Sequence, residues 1–102
     1  MKIYAVISEY YDYEYTSDSS FSMELFSTME DAKTYFEIKK EECLNSYLDR
    51  YEIDSIDELR EDYFEEYDED ESSMDLEIYD DCSEHIYIQE YDVMSFNWGG
   101  VN

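Results

Sequence analysis

Residues 2–26 read KIYAVISEYYDYEYTSDSSFSMELF. Ile3, Ala5 and Ile7 alternate with Tyr4, Val6 and Ser8, the period-two pattern of a strand with at least one buried face. Tyr and acid then alternate, which carries the strand to about Tyr15 before a turn at Ser17-Asp18-Ser19. Residues 20–26 alternate again, with Phe21, Met23 and Leu25 on one face. Two such runs joined by a short connection predict an antiparallel hairpin.

Downstream the period changes. Ser27-x-x-Glu30 fits a capping box, in which each side chain satisfies a backbone N–H at a helix start. Met29, Ala32, Tyr35, Phe36, Cys43, Leu44, Tyr47, Leu48 and Tyr51 follow at helical spacing, with a gap at Lys39-Lys40. Lys33, Lys39 and Lys40 sit among Glu37, Glu41 and Glu42, so a Glu37–Lys40 pair is expected. Residues 52–54 break the pattern, and Ser55-x-x-Glu58 opens a second, shorter helix over 56–67 with Leu59, Tyr63 and Phe64 facing inward. DEDESS at 68–73 reads as a charged loop. Met74, Leu76 and Ile78 mark a third strand, Asp80-Asp81-Cys82-Ser83 a turn, and 85–94 a fourth strand. In that last strand Ile86 and Ile88 share one face, and Tyr87, Tyr91 and Val93 the other.

The order β-β-α-α-β-β predicts an α+β domain over residues 1–95, with two helices on one face of an antiparallel sheet of about four strands. The other face would show Tyr, Ser, Asp and Glu to water. SFNWGGVN leaves 96–102 as a loose C-terminal tail.

Charge dominates the composition. The chain of 102 residues carries 30 acidic against 6 basic residues, a formal charge of −24. High net charge marks disordered chains, but 13 Tyr, 5 Phe, 1 Trp, 2 Gly and no Pro favour a folded body with an unusual surface. Like charges on so small a body repel one another. Nucleic acid and anionic membranes are poor partners for it, and the basic surface of another protein is a good one. Cys43 and Cys82 are too few for a disulfide scaffold and are expected to be reduced. No run of about 20 apolar residues is present, as a membrane-spanning helix would need. The N-terminus lacks a small-residue cleavage site. These features predict a cytosolic protein, monomeric or homodimeric.

The acids cluster. Residues 52–81 hold 16 Asp or Glu and one basic residue, Arg60. Asp57, Glu58, Glu61, Asp62, Glu65 and Glu66 would ring the outer face of the second helix, and Asp68, Glu69, Asp70 and Glu71 continue into the loop. Carboxylates on successive helical turns lie about 5–6 Å apart, close to the phosphate spacing along a DNA strand. A second surface is the ribbon Tyr11, Asp12, Tyr13, Glu14 and Tyr15, whose tyrosines can stack on arginines while the acids pair with them.

Other chemistry is weakly marked. Asp68-x-Asp70-x-Ser72 mimics the start of a calcium loop, but Ser73 stands where Gly is needed and Tyr79 where a bidentate Glu is required. Cys43, Cys82 and His85 lack a fourth zinc ligand. His85 is the sole histidine, residues three apart on a strand face opposite sides, and both glycines fall in the tail. No catalytic residue, metal site or cofactor is assigned, and the chain reads as a non-enzyme.

The acidic stretch 52–81 and the YYDYEY ribbon at 10–15, in so short a chain, resemble the small acidic inhibitors of phages and other mobile elements. These include DNA-mimic anti-restriction proteins and anti-CRISPR proteins. The resemblance is one of size and composition. It implies inhibition of a host DNA-binding defence nuclease, a CRISPR effector such as Cas9 or a restriction enzyme, at the basic surface that receives DNA or reads the PAM. The alternatives are a non-enzymatic adaptor that binds through a Tyr-rich sheet face, and a weak cation-binding domain.

Overall fold

The computed structural model describes residues 1–14, 19–78 and 81–93. In chain order the elements are β1 (Lys2–Asp12), β2 (Ser20–Phe26), α1 (Met29–Tyr51), α2 (Ile56–Asp62), β3 (Glu66–Glu69), β4 (Ser73–Ile78) and β5 (Cys82–Asp92). The strands form one five-stranded antiparallel sheet, ordered β2-β1-β5-β4-β3. The fold is α+β, and its spine is the long β1–β5 pairing from Lys2 opposite Asp92 to Asp12 opposite Cys82.

The sheet has a fifth strand where a longer helix was expected. α2 stops at Asp62, and the amides of Tyr63 and Phe64 both donate to the Leu59 carbonyl. Glu65 N–H then donates to Glu77 O at 2.8 Å and starts the β3–β4 ladder. Helix through 67 would have stacked Glu61 on Glu65 and Asp62 on Glu66, like-charge pairs that destabilise a helix. The early stop still buries Leu59 and Phe64. Tyr63 is exposed instead of inward, although its ring stacks on Tyr51 with centroids 4.7 Å apart.

Other boundaries shift by a few residues. Thr28, not Ser27, caps α1, its Oγ1 accepting from Asp31 N–H at 3.1 Å. Ser55 caps α2 as read, accepting from Glu58 N–H at 3.1 Å. The expected break at 52–54 begins with Glu52 at φ 55°, the left-handed residue that closes α1. The loop expected at 68–73 shrinks to a turn, in which Asp70 N–H donates to Ser73 O at 2.9 Å. β5 begins at Cys82, so Cys82 and Ser83 belong to a strand and not to a turn. β1 ends at Asp12; Tyr15 and the tail 96–102 lie outside the described residues.

Both helices cover one face of the sheet. Ala32, Phe36, Cys43, Leu44 and Tyr47 of α1, with Leu59 and Phe64, pack on Val6, Met74, Leu76, Ile78, Cys82 and Ile86. Tyr4, Tyr10, Phe26, Tyr67 and Ile88 border this core. Among the described residues no helix covers the opposite face. On it Ala5 and Ile7 are nonetheless buried, because β1 is flanked by Met23 and Leu25 on one side and Tyr87 and Gln89 on the other. Phe21, Met23 and Leu25 share one face as expected, but it is this open one, and each is at least 45% exposed. The face expected to be polar therefore has an apolar half at β2.

Candidate acidic binding face

The other half of the open face is acidic. Side chains alternate along a strand, so Tyr67 and Glu69 of β3 point to the helices while Glu66 and Asp68 point outward. Their register partners are Glu77 and Asp75. Two like-charge pairs thus stand directly opposite one another, an arrangement that costs stability.

With Glu65, Tyr13, Ser83 and His85, these four carboxylates line a groove of about 510 Å³. Tyr13 reaches it from the end of β1, its hydroxyl donating to Glu77 Oε2 at 3.0 Å. Its backbone N–H donates to Asp81 O at 2.9 Å, which fixes the approach. His85 Nδ1 lies 2.7 Å from Asp75 Oδ1. The exposed Tyr11 ring meets His85 edge-on, 6.5 Å between centroids. Parts of the acidic stretch and of the tyrosine ribbon, which read as two surfaces in the sequence, thus meet in one groove.

No Lys or Arg offsets this charge locally. Lys33, Lys39, Lys40 and Arg50 are on α1, and Arg60 is on α2. Lys2 points to the helical side, 3.2 Å from Glu90. These cations neutralise other acids. Lys40 bridges Glu69 at 2.8 Å and Glu37 at 3.1 Å, the second being the pair expected from spacing. Arg60 reaches the other Glu69 oxygen at 2.7 Å. The hydrogen bond from Lys40 is the main reason the Glu69 carboxyl is held below its usual range.

The candidate residues therefore divide. Glu65, Glu66, Asp68 and Tyr13 line the groove, with Tyr11 beside it; Asp75 and Glu77, which the sequence reading did not single out, join them, as does His85, weighed there only as a zinc ligand and a catalytic histidine. Alternation along 74–78 held the signal for Asp75 and Glu77, but their cross-strand partners needed β3. Asp57, Glu58, Glu61 and Asp62 are exposed on α2, in the helical layer. Glu69 is internally paired, and Glu71 lies 3.5 Å from Lys33. Asp70 shapes its own turn by accepting from Ser72 N–H at 2.8 Å. Asp12 accepts from Tyr10 and from Glu14 N–H.

The residues that could have supported other chemistry are kept apart or inert. Cys82 faces the helices, where the Tyr47 hydroxyl lies 3.3 Å from its Sγ, while His85 faces the groove. Burial pushes both the Cys43 and the Cys82 thiols up, so each stays protonated. Among the described residues no cluster of three His, Cys, Asp or Glu is placed to hold a metal ion. None of the described helices is long and apolar enough to cross a membrane. No family model matches the chain, and neither a curated protein nor a solved structure is significantly similar to it.

Proposed function

We propose that this chain is a non-enzymatic inhibitor that occupies the basic DNA-binding surface of a host defence nuclease, a CRISPR effector or a restriction enzyme, as a DNA mimic. The observation that carries the proposal is the segregation of charge. Glu66, Asp68, Asp75 and Glu77 face each other on the open side, and every Lys and Arg lies on the helical side. Alternate residues on a strand are about 7 Å apart, similar to neighbouring phosphates on one DNA strand. The two acidic rows thus offer phosphate-like spacing on a rigid sheet rather than on a helix. Arginines that normally hold duplex DNA would pair with these carboxylates and stack on Tyr11 and Tyr13.

The test is inhibition of a purified CRISPR effector and a purified restriction enzyme, in competition with duplex DNA and over a salt series. Inhibition should weaken steeply with salt. The quadruple variant E66Q/D68N/D75N/E77Q should lose it, while neutralising Asp57, Glu58, Glu61 and Asp62 on α2 should matter less. Undiminished inhibition by the groove variant would sink the proposal. The exposed Tyr11, Phe21 and Tyr91 favour a second reading, an adaptor that binds through the sheet face. Its binding would be nearly independent of salt and lost on Tyr11→Ala and Tyr13→Ala.

A further inference from the structure

The two edges of the sheet are built differently. β3 is short and reads Glu66-Tyr67-Asp68-Glu69, and charge of this density discourages strand addition. β2 is longer, reads Ser20-Phe21-Ser22-Met23-Glu24-Leu25-Phe26, and carries one charge and no Pro. Its inner edge pairs with β1, and no described strand pairs with its outer edge. Phe21 and Leu25 are each 60% exposed on the open face. A regular, apolar, unpaired edge is a template for another strand.

The geometry points to a second copy of this chain as that strand, joined β2 to β2 about a two-fold axis into one continuous antiparallel sheet. The sequence of β2 is complementary to itself in a single register. With Met23 opposite Met23 of the second copy, Phe21 meets Leu25 and Leu25 meets Phe21, all on the open face. On the helical face Glu24 meets Ser22, so no two acids oppose one another. Lys39 lines a hollow beside Ser20 and Ser22, but it lies 3.7 Å from Glu42 and Glu84 lines the same hollow, so the incoming Glu24 gains no net attraction there. A register shifted by two residues would leave an apolar side chain unmatched, and one shifted by a single residue would send the apolar set to the wrong face.

Net charge does not forbid this dimer. Strands are about 4.8 Å apart, so the two acidic grooves would lie at opposite ends of a ten-stranded sheet, roughly 40 Å apart. That is several Debye lengths at physiological salt. The residual repulsion is screened by salt, so dimerisation should tighten as salt rises, opposite in sign to binding of a basic partner. The exposed parts of Phe21, Met23 and Leu25 come to roughly 300 Å² per copy, well under the ~800 Å² per partner of a standard interface. The dimer is therefore a concentration-dependent one.

Sedimentation of the full chain over a concentration series, at low and high salt, should show a monomer–dimer equilibrium that salt strengthens. Met23→Lys places two ammonium groups at the two-fold axis and should weaken association at least about tenfold, while circular dichroism stays native because the site is exposed. Under oxidation Met23→Cys should cross-link to a covalent dimer and Leu25→Cys should not, since only residue 23 meets itself; the native thiols are buried. A monomer at every concentration, a dimer indifferent to Met23→Lys, or equal cross-linking at positions 23 and 25 would each overturn the inference.

Discussion

Asp68 stands directly across from Asp75 in the β3–β4 pair, and Asp75 Oδ1 in turn lies 2.7 Å from His85 Nδ1. One step along, Glu66 faces Glu77. The register that enforces this repulsion is held from the other side of the sheet, where Tyr67 pairs with Leu76 and Glu69 with Met74 against the core. Burial of Met74 and Leu76 outweighs the repulsion, because each fully buried apolar side chain contributes about 1.5–3 kcal/mol, against about 0.2–1 kcal/mol for a cross-strand pair.

Asp68→Asn should therefore stabilise the protein by about 0.2–1 kcal/mol at low salt, with the gain shrinking as salt screens the pair. Urea unfolding at two ionic strengths measures it. A variant less stable than wild type would mean that the repulsion is absent.

Glu69 behaves in the opposite way, because it has cations. Its folded pKa is depressed, so the stabilisation is complete above the unfolded carboxylate value of about 4.3 and is lost as pH falls through the lower folded value. Glu69→Gln should cost about 1 kcal/mol at neutral pH. The gap between wild type and variant should close under strongly acidic conditions. Thermal unfolding across that pH range checks the sign.

The cap of α1 separates two neighbouring residues. Thr28→Ala should cost about 1 kcal/mol, and Ser27→Ala close to nothing, by denaturant unfolding of both variants. Equal losses would restore Ser27 as the cap.

Tyr47 is buried, with its hydroxyl donating to Glu84 Oε1 at 2.8 Å and lying 3.3 Å from Cys82 Sγ. Burial, the hydrogen bond to Cys82 and the nearby Glu84 charge drive its pKa far up, so it stays protonated. Tyr47→Phe should cost about 1–3 kcal/mol by leaving Glu84 short of a donor, read as a lower urea midpoint with an unchanged slope.

Much of this architecture is legible along the chain. Alternation at Ile3–Ser8 and Ser20–Phe26, helical spacing from Ala32 to Tyr47, and the Ser55 cap are local signals, set by side-chain periodicity and by hydrogen bonds within a few residues. Together with the excess of acids they determine an α+β body with a strongly acidic surface. The fate of Glu66–Glu69 is not local. Phe64 and Tyr67 fit a helix by spacing, and only the free edge of β4 turns that stretch into a strand. Tertiary pairing likewise sends Phe21, Met23 and Leu25 to the open side, brings Tyr13 to Glu77, and uses Glu69 up on Lys40 and Arg60. A period of two states that a strand has two faces, but which face meets the helices depends on the register of strands distant in sequence. The acidic groove is therefore a property of the assembled sheet.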